Sequence, residues 1–506
     1  MNAFQGLVAI GQWAQQHQDL LLYGTGGALA LMLGGTVLRQ ARRPAQTTHG
    51  SARWATSSEI KTAGLTVPHG VVLGHYGKHL LHDDSETHVL LLAPTRSGKG
   101  IGPIGCTLLT WHASALVFEP KDGENYAFSH AWRAAQGQRV EQFTPRRSPH
   151  ACINVEDMLR LGTPQEFDDA WAIAGSLLAP DKMVHESRTS QHFRLLATML
   201  LTGAQLHLAY TFPPASLGKL WWMLTQRYRG TTPGTALLTC LTAMQTTAHT
   251  SHGVHRVITE LATAIQTISG DRELGSIWST AISPLLPYAD YLTQRSTDTS
   301  TVDLEDLQYG SSPMSLYLVA PKPSALTRLA PLYRVISDMA LHRLQEHAPR
   351  TASHRLLVVA DEAPAYGYSL LLDKGAAETA GYGIKLLIVG QDIPQIEDTF
   401  GRNNSLWGNT HVKIFYAPDS DVTARRLSER LGQATVEQPV LSQHQGLIKQ
   451  GSTAYQQVGR SLLTADELQA MDPEAALIYK TNMRPILAKK VNYLRDPAYR
   501  TRSRAA

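Results

Sequence analysis

The 506-residue sequence contains few cysteines, and their spacing excludes two kinds of scaffold. There are three, Cys106, Cys152 and Cys240, and no pair has the Cys-x-x-Cys spacing. This argues against a disulfide framework or a zinc ribbon and fits a reducing compartment. Charged residues make up only 17% of the chain and hydrophobic residues 43%, so a sizeable core can form and global disorder is excluded. A chain of this length is expected to hold about two to four domains.

A strong net charge is also absent. The formal net charge of +4 is small for this length, which excludes a polycation that binds nucleic acid through bulk charge. Basic residues concentrate in residues 480–506, where eight Lys and Arg accompany one acid, Asp496. This tail could contact DNA or the anionic cytoplasmic leaflet, although such a terminus is more often a solvated, poorly ordered end.

A long uncharged run near the N-terminus predicts a membrane anchor. Residues 20–38, LLLYGTGGALALMLGGTVL, would form a helix about 28 Å long, close to the ~30 Å hydrocarbon core. Arginines 39, 42 and 43 follow the run, so the positive-inside rule predicts that the remainder of the chain is cytoplasmic. We therefore predict an anchor in residues 1–43, with a buried core helix as the alternative. Residues 4–14 could lie at the interface or belong to a second span.

The body of the chain has the pattern of a parallel α/β sheet. Its apolar runs of strand length are nearly continuous in Val, Ile and Leu, as expected for strands that are covered on both faces. Helical stretches are predicted at 324–346 and 420–431, and residues 44–70 are predicted to be a linker. The predicted strands are 88–93, 114–119, 314–320, 355–360, 384–390 and 411–417.

Residues 164–300 differ from the rest because they show helical spacing with few strand-like runs. We predict an all-α insertion here, placed between early and late strands of one sheet that is formed by 44–163 and 301–506. The spacing of His249, His252 and His255 could suit a metal, but the neighbouring Ser, Gly and Thr favour a polar loop. The predicted helices are 166–178, 190–209, 215–228, 235–247, 254–268 and 271–285.

A candidate phosphate loop follows the strand at 88–93. The octet Ala93–Gly100, APTRSGKG, is a small-residue turn with a lysine, placed before a segment that can be helical. Such a turn can present its backbone N–H groups to phosphates, with the lysine reaching the β- and γ-phosphates. Ala93 replaces the first glycine of the general motif, and Gly100 replaces the Ser or Thr that holds Mg²⁺. The predicted nucleotide-binding residues are Pro94, Thr95, Arg96, Ser97, Gly98, Lys99 and Gly100.

Two later strand ends complete the predicted site. Asp361 and Glu362 follow the buried strand LLVVA, at the edge where open α/β sheets bind ligands. We predict that Asp361 holds Mg²⁺ through water and that Glu362 polarises the attacking water. Gln391, at the end of the next strand, can sense the γ-phosphate or position water. Lys99, Glu362 and Gln391 are the predicted catalytic residues of an ATP site.

These motifs, taken in order, resemble those of type IV secretion coupling proteins. This family comprises the TraG/TraD-like conjugation ATPases in the FtsK/HerA branch of RecA-fold motors, and the resemblance covers roughly residues 50–500. In that branch glycine often follows the phosphate-loop lysine. The segments that carry the resemblance are APTRSGKG, PKDGEN at 120–125, VVADEAPAYG at 358–367, AGYGIKLLIVGQDIPQIEDTFG at 380–401 and RPILAKKVNYLRDPAYRTR at 484–502.

The resemblance implies a fold, an assembly and substrates that the residues alone do not. It implies a RecA-like P-loop domain with an inserted all-α domain and an N-terminal transmembrane helix, assembled as a homo-hexamer in the bacterial inner membrane with one or two spans. The substrates implied are ATP with Mg²⁺ and a single-stranded DNA–relaxase complex, effector proteins or both, which are passed to type IV secretion channel components. The arginine finger could be Arg402, Arg425 or Arg426, or Lys385 could take that role, but each could equally be a surface charge.

Two other functions stay open at this stage. One is an FtsK-like translocase of double-stranded DNA, although the multi-span region and C-terminal winged helix of that family are not visible here. The other is a docking receptor for secreted substrates in which the nucleotide is structural. An intact Asp361-Glu362 pair argues against the receptor, because a scaffold does not need a residue that activates water.

Overall fold

The computed structural model describes residues 47–145, 151–183, 187–268, 271–442 and 452–504. The segment predicted to span the membrane, 20–38, lies outside these residues. No helix within the described ranges is both long enough and apolar enough to cross a bilayer.

The described residues divide into two compact units, of which the smaller is built on one hairpin. This unit contains residues 47–53, 431–442 and 452–462. Its two strands pair antiparallel in unbroken register from Gln433 opposite Ser461 to Ser442 opposite Ser452, and Ser51 adds a bridge to Ala434. All of the predicted site residues belong to the larger unit, 54–430 and 463–504.

Thirteen strands form in the described residues, eleven of them in one sheet. The strands are β1 Val71–Tyr76, β2 His79–Asp83, β3 His88–Leu92, β4 Ser114–Glu119, β5 Arg139–Phe143, β6 Met314–Val319, β7 Leu356–Ala360, β8 Ile384–Gly390, β9 Thr410–Phe415, β10 Gln433–Ser442, β11 Ser452–Ser461, β12 Ala475–Lys480 and β13 Ile486–Lys489.

The large sheet has the order β2-β1-β13-β12-β9-β3-β8-β7-β4-β6-β5. The seven neighbours from β9 to β5 are parallel, and the other four strands add antiparallel at the β9 side. All six predicted strands lie in the parallel part, which confirms an α/β fold with a large parallel sheet. Every residue of β3, β4, β6, β7 and β8 is buried, and this is why their apolar runs are continuous.

Two of the strands that were not predicted are only partly buried. In β5, RVEQF, only the final phenylalanine is buried, and in β13, ILAK, buried and exposed residues alternate. A strand that is buried on one face gives an alternating apolar and polar pattern, and over four or five residues this pattern is too short to predict a strand.

Eighteen α-helices form in the described residues, several of them preceded or followed by a 3₁₀ or π turn. They are α1 Ser57–Thr62, α2 Gly105–Leu108, α3 Glu124–Ala135, α4 Glu166–Leu177, α5 Arg188–Thr211, α6 Leu217–Trp222, α7 Pro233–Thr246, α8 Arg256–Ile268, α9 Asp271–Ile282, α10 Tyr291–Thr297, α11 Asp306–Tyr309, α12 Pro323–Glu346, α13 Ala376–Thr379, α14 Ile393–Phe400, α15 Leu406–Asn409, α16 Asp421–Leu431, α17 Ala465–Gln469 and α18 Pro497–Arg504.

Helices joined by loops form in the described residues of 164–300, and no strand does, as the spacing predicted. Helices α4 to α9 match the six predicted helices, and α10 and α11 add two more before β6. The helix predicted at 215–228 is divided, because α6 ends at Trp222 and a π turn, Met223–Arg227, continues it.

The predicted linker at 44–70 is wrong in its middle part. Helix α1 forms there with a capping box, in which the Thr56 hydroxyl accepts from the Glu59 N–H and Glu59 accepts from the Thr56 N–H. Ile60 of this helix is buried in the core that covers the sheet. The sequence did not predict this helix, because Ser, Thr and Ala are common in loops as well as at the N-termini of helices.

Candidate functional site

The phosphate loop begins where β3 ends, and its backbone is held in a compact turn. Ala93 N–H donates to the Gly390 carbonyl at the end of β8 over 3.1 Å. The Ser97 hydroxyl donates to the Pro94 carbonyl over 2.6 Å. Arg96 and Gly98 have positive φ angles of 59° and 94°. Glycine adopts such angles without steric cost, which favours glycine at position 98. No backbone carbonyl of the described residues accepts from the N–H of Gly98 or Lys99, which leaves both donors for a ligand.

The two departures from the general motif have different structural settings. Ala93 is fully buried beside the end of β8, so a small side chain is accommodated there. A Cβ atom built at Gly100 would meet no heavy atom within 4 Å. Packing therefore does not require glycine at position 100, and a serine or threonine would fit.

Three predicted catalytic residues meet at one carboxylate. The Lys99 ammonium lies 2.5 Å from Glu362 Oε2, and the Gln391 side-chain amide donates to Glu362 Oε1 over 2.8 Å. Gln395, which was not predicted, donates to the same Oε1 over 3.0 Å. Glu362 has a left-handed backbone with φ 57° and ψ 49°, at the point where β7 turns into the 3₁₀ turn Ala363–Tyr366.

The charge of Glu362 is stabilised by these contacts. Burial on its own raises the pKa of the carboxyl, but the Lys99 ammonium and the hydrogen bonds from Lys99, Gln395 and Gln391 hold the pKa below its usual value. The carboxylate is therefore ionised at neutral pH and can accept a proton.

Asp361 lies at the end of β7 and has the opposite electrostatic character. It is 2% exposed, and its Oδ1 has no hydrogen-bond partner among the described residues. Burial raises its pKa, against the opposing charges of Lys121 and Lys99. An unpartnered, buried carboxylate oxygen beside a phosphate loop suits a divalent cation or its bound water.

A second buried carboxyl lies beside Asp361. Glu119, at the end of β4, accepts from the N–H groups of Asn125 and Tyr126 in the first turn of α3. Burial raises its pKa to about 8. The sequence leaves two interpretations of Lys121 and Glu124 open, an extension of the phosphate site and an ion pair at the strand end, and within the described residues their side chains form no ion pair with each other.

The C-terminal segment contacts the phosphate loop, which the charge pattern did not indicate. Lys490 Nζ donates to the Ser97 carbonyl over 2.9 Å and lies 3.9 Å from the centre of the Tyr416 ring. Tyr493 N–H donates to the Ile101 carbonyl over 3.0 Å. Helix α18 then packs on α3, and Arg502 donates to the Leu109 carbonyl over 2.8 Å. This part of the basic tail is therefore folded, in contrast to a poorly ordered end.

The basic residues considered for an arginine finger are dispersed. Lys385 is buried at the start of β8, far along the strand from Gln391, and bonds Asp83 Oδ2 over 2.6 Å. Arg426 pairs with Glu397 of α14. Arg402 and Arg425 are exposed.

Two of the three clustered histidines join a buried polar network instead of a metal site. His249 Nε2 lies 2.8 Å from Nδ1 of His207, which was not predicted, and His255 Nε2 lies 2.8 Å from Glu166 Oε1. Burial lowers the pKa of His207 to about 4. Within the described ranges, the three histidines do not come close enough together to share a metal ion.

Comparison with known proteins agrees with the motifs. Residues 53–506 match the family model described as Type IV secretory system Conjugative DNA transfer. The chain is 31% identical to the conjugal transfer protein TraG of Escherichia coli, over 97% of this chain and 85% of that protein. It is 24% identical to the protein VirD4 of Rhizobium radiobacter, over 88% of this chain and 64% of that protein.

The fold is similar to that of a solved coupling protein. The unbound monoclinic form of the bacterial conjugative coupling protein TrwBdeltaN70 matches with a TM-score of 0.65 at 13% identity, over 90% of this chain and 97% of that chain. The plasmid coupling protein TrwB in complex with ADP and Mg²⁺ matches with a TM-score of 0.62 at 14% identity, over 90% and 98%. With the family match over residues 53–506, these findings establish that the chain belongs to the type IV secretory system conjugative DNA-transfer family, the coupling-protein family that its motifs resemble.

Proposed function

We propose that this chain is a membrane-anchored ATPase that couples a relaxase–DNA complex, effector proteins or both to a type IV secretion channel and energises their transfer. The observation that carries the proposal is the meeting of Lys99 with Glu362, which brings the phosphate loop and the acidic strand end to one place. The bound ADP and Mg²⁺ in the TrwB complex and the name of the matched family support the proposal.

The proposed roles follow from charge and position. The Lys99 ammonium and the backbone N–H groups of Gly98 and Lys99 bind the phosphates, because they provide, at the end of β3, one buried cation and two donors without a backbone acceptor among the described residues. Glu362 is the general base, since its carboxylate is held ionised. Gln391 senses the γ-phosphate or positions the attacking water, because its side-chain amide donates to the same carboxylate.

The proton transfers of hydrolysis can be carried out by Glu362 at this edge of the sheet. Glu362 Oε2 takes a proton from water while the water oxygen forms a bond to the γ-phosphorus. The bond from that phosphorus to the bridging oxygen breaks, and its electron pair leaves with ADP. The proton passes from Glu362 to the released phosphate, which restores the base.

A magnesium ion would be held by Asp361 through water, and its chemistry is to neutralise charge on the β- and γ-phosphates. The unpartnered, buried Oδ1 of Asp361 supports this assignment. With glycine at position 100, this chain has no hydroxyl there to act as a second ligand.

We assign the nucleotide-binding RecA-like domain to residues 44–163 and 301–506, and a substrate-recognition domain to the helical residues 164–300. Buried contacts support a mechanical link between the two. Arg334 of α12 donates to the carbonyls of Ser176 and Leu177 at the end of α4 and to that of Tyr366, four residues after Glu362. A change in the loop after β7 therefore has a direct route to the helices.

The proposed assembly is a homo-hexamer anchored in the bacterial inner membrane by the segment at 20–38, with the bulk of the chain cytoplasmic. Single-stranded DNA in a central channel would be held by backbone contacts and aromatic stacking. Ring assembly also supplies the finger residue from a neighbouring subunit.

The test is ATP hydrolysis by the purified full-length chain, with and without single-stranded DNA, at increasing protein concentration. We expect a rate per subunit that rises with assembly and with DNA, and a Lys99→Ala variant that is folded but inactive. Hydrolysis retained by that variant would remove the site assignment. Stimulation by double-stranded DNA alone would favour a translocase of duplex DNA, and nucleotide binding without turnover would favour a docking receptor.

A further inference from the structure

The Glu362 carboxylate receives hydrogen bonds that are divided between its two oxygens. Oε2 is bound by the Lys99 ammonium at 2.5 Å. Oε1 is bound by two side-chain amides, Gln391 Nε2 at 2.8 Å and Gln395 Nε2 at 3.0 Å. The base is thus held by a cation on one side and by two neutral donors on the other.

Gln395 is held in place by hydrogen bonds to both the oxygen and the nitrogen of its side-chain amide. Its Oε1 accepts from the backbone N–H of Gln391 over 2.9 Å, so its Nε2 must face the carboxylate. Its backbone N–H donates to the Asp392 side chain, which caps α14, over 2.8 Å. A Gln395 side chain fixed in this way links the end of β8 to the carboxylate at the end of β7.

The two sides of the carboxylate respond differently when a nucleotide binds. A phosphate attracts the Lys99 ammonium, so the 2.5 Å contact with Oε2 has to weaken. The amide contacts to Oε1 carry no charge that a phosphate would attract. Oε2 then becomes the free oxygen, while Oε1 stays anchored.

We infer that Gln395 is a positioning residue for hydrolysis, which keeps Glu362 directed at the attacking water after Lys99 has moved to the phosphates. The inference rests on the proposed function, because it assumes that Glu362 is the base. It explains why a glutamate in a strained left-handed conformation needs two amide donors: with Lys99 removed, one donor would leave the carboxylate free to rotate.

The inference predicts a split between kcat and KM that a purely structural role does not share. Gln395 donates to the base and accepts from the Gln391 N–H. Losing its amide should therefore lower kcat, because the base is no longer held. KM and ADP affinity, which depend on Lys99 and the phosphate loop, should change little.

The experiment measures kcat and KM for MgATP, and the affinity for ADP, in the full-length chain and its variants. Gln395→Met removes both hydrogen bonds at similar length, and Gln395→Glu keeps the shape but loses the donor. The matched control is Gln469→Met, because Gln469 also donates to a carboxylate, Asp421 Oδ1 at 2.9 Å, on the outside of α16.

For Gln395→Met we expect kcat to fall about 10- to 100-fold, while KM and ADP affinity change less than about threefold. Gln395→Glu should lower kcat at least as far, because it lacks the donor and brings a second negative charge to the same carboxylate. In a Glu362→Gln background, Gln395→Met should have no additional effect on kcat. The Gln469→Met control should match the wild type.

Two results would overturn the inference. One is an unchanged kcat in both Gln395 variants, and the other is a loss of kcat that is matched by an equal loss of ADP affinity or is additive with Glu362→Gln. ADP binding and the Glu variant separate these outcomes from misfolding. Failure of the proposed function is distinct, since it would appear as hydrolysis that does not require Lys99 in the otherwise wild-type chain.

Discussion

The Lys99 ammonium and the Glu362 carboxylate lie 2.5 Å apart although 263 positions separate them in the chain. The lysine proposed to bind phosphate is therefore paired with the residue proposed as the base. A bound phosphate would compete with this carboxylate for the lysine, so we expect nucleotide binding and release of the base to be one event.

Removing the charge of Glu362 should separate binding from hydrolysis. Glu362→Gln keeps the shape and the amide contacts but cannot accept a proton, so we expect kcat to fall about 10²- to 10⁴-fold. Nucleotide affinity should rise slightly, because Lys99 no longer has a carboxylate partner. Single-turnover hydrolysis and ADP titration measure the two effects. A variant that loses both together would contradict the assigned role.

The buried Asp361 should be a functional residue that costs stability. Its pKa is raised by burial, so the ionised form destabilises the nucleotide-free fold at pH values above the ordinary Asp range. We expect Asp361→Asn to raise the apparent unfolding temperature by about 1–3 °C at neutral pH while abolishing Mg²⁺-dependent hydrolysis. Thermal unfolding with and without Mg²⁺ and nucleotide tests this, and a lower unfolding temperature in Asp361→Asn would count against it.

Glu119 should make the nucleotide-free chain less stable as pH rises. Its pKa is raised from 4.5 to about 8 in the fold, so its contribution is fully present below pH 4.5 and is lost as pH rises through about 8. The slope in the middle of this window approaches about 1.4 kcal/mol per pH unit. Denaturant unfolding between pH 5 and 8.5 should show a flatter dependence for Glu119→Gln than for the wild type. An equal slope in the two proteins would be the contrary result.

The C-terminal segment should be required for nucleotide affinity. Lys490 donates to the Ser97 carbonyl, so Lys490→Met should weaken nucleotide binding by about three- to tenfold, the net value of one hydrogen bond. A matched control is Lys489→Met, on the neighbouring residue, whose side chain is exposed. Calorimetric titration with ADP distinguishes the two, and equal affinities in both variants would exclude the contact as a support for the loop.

Arg334 should be intolerant of even a conservative change. Its guanidinium is 2% exposed and donates to four backbone carbonyls, including that of Ala179 at 2.9 Å. Lysine cannot reproduce this fork, so Arg334→Lys should destabilise the fold by about 2–4 kcal/mol. Limited proteolysis should also cut the variant faster near residues 178–183. Arg328→Lys on the same helix is the control, and equal stability of the two variants would contradict the role of Arg334.

Continuous apolar runs made the centre of the fold predictable. Strands β3, β7 and β8 are buried on both faces, and each is followed by a residue whose chemistry was recognisable at that position: Lys99, Asp361 and Gln391. Because parallel strands align their carboxyl ends at one edge of the sheet, the sequence predicted that these residues lie close together.

The parts that sequence reasoning missed depend on side-chain direction or on distant packing. Gln395 looks like any polar residue of a short helix, and only its orientation toward Glu362 distinguishes it. Lys490 contacts Ser97 although 393 positions separate them, and the charge pattern described its segment only as a basic tail. Periodicity carries no information on either contact.

The helical stretch leaves the sheet after β5 and returns at β6, and these strands are adjacent at one edge, with Arg139 opposite Met314. Its entry and exit are therefore fixed by a single pair of neighbouring strands, at the edge farthest from the antiparallel strands. Related proteins could lengthen, shorten or exchange these helices during evolution without changing the order of the strands that hold the lysine and the acids. If the helices recognise the cargo as proposed, cargo preference and energy conversion can diversify at separate rates, and a chimaera joined at positions 143 and 314 would transplant one without the other.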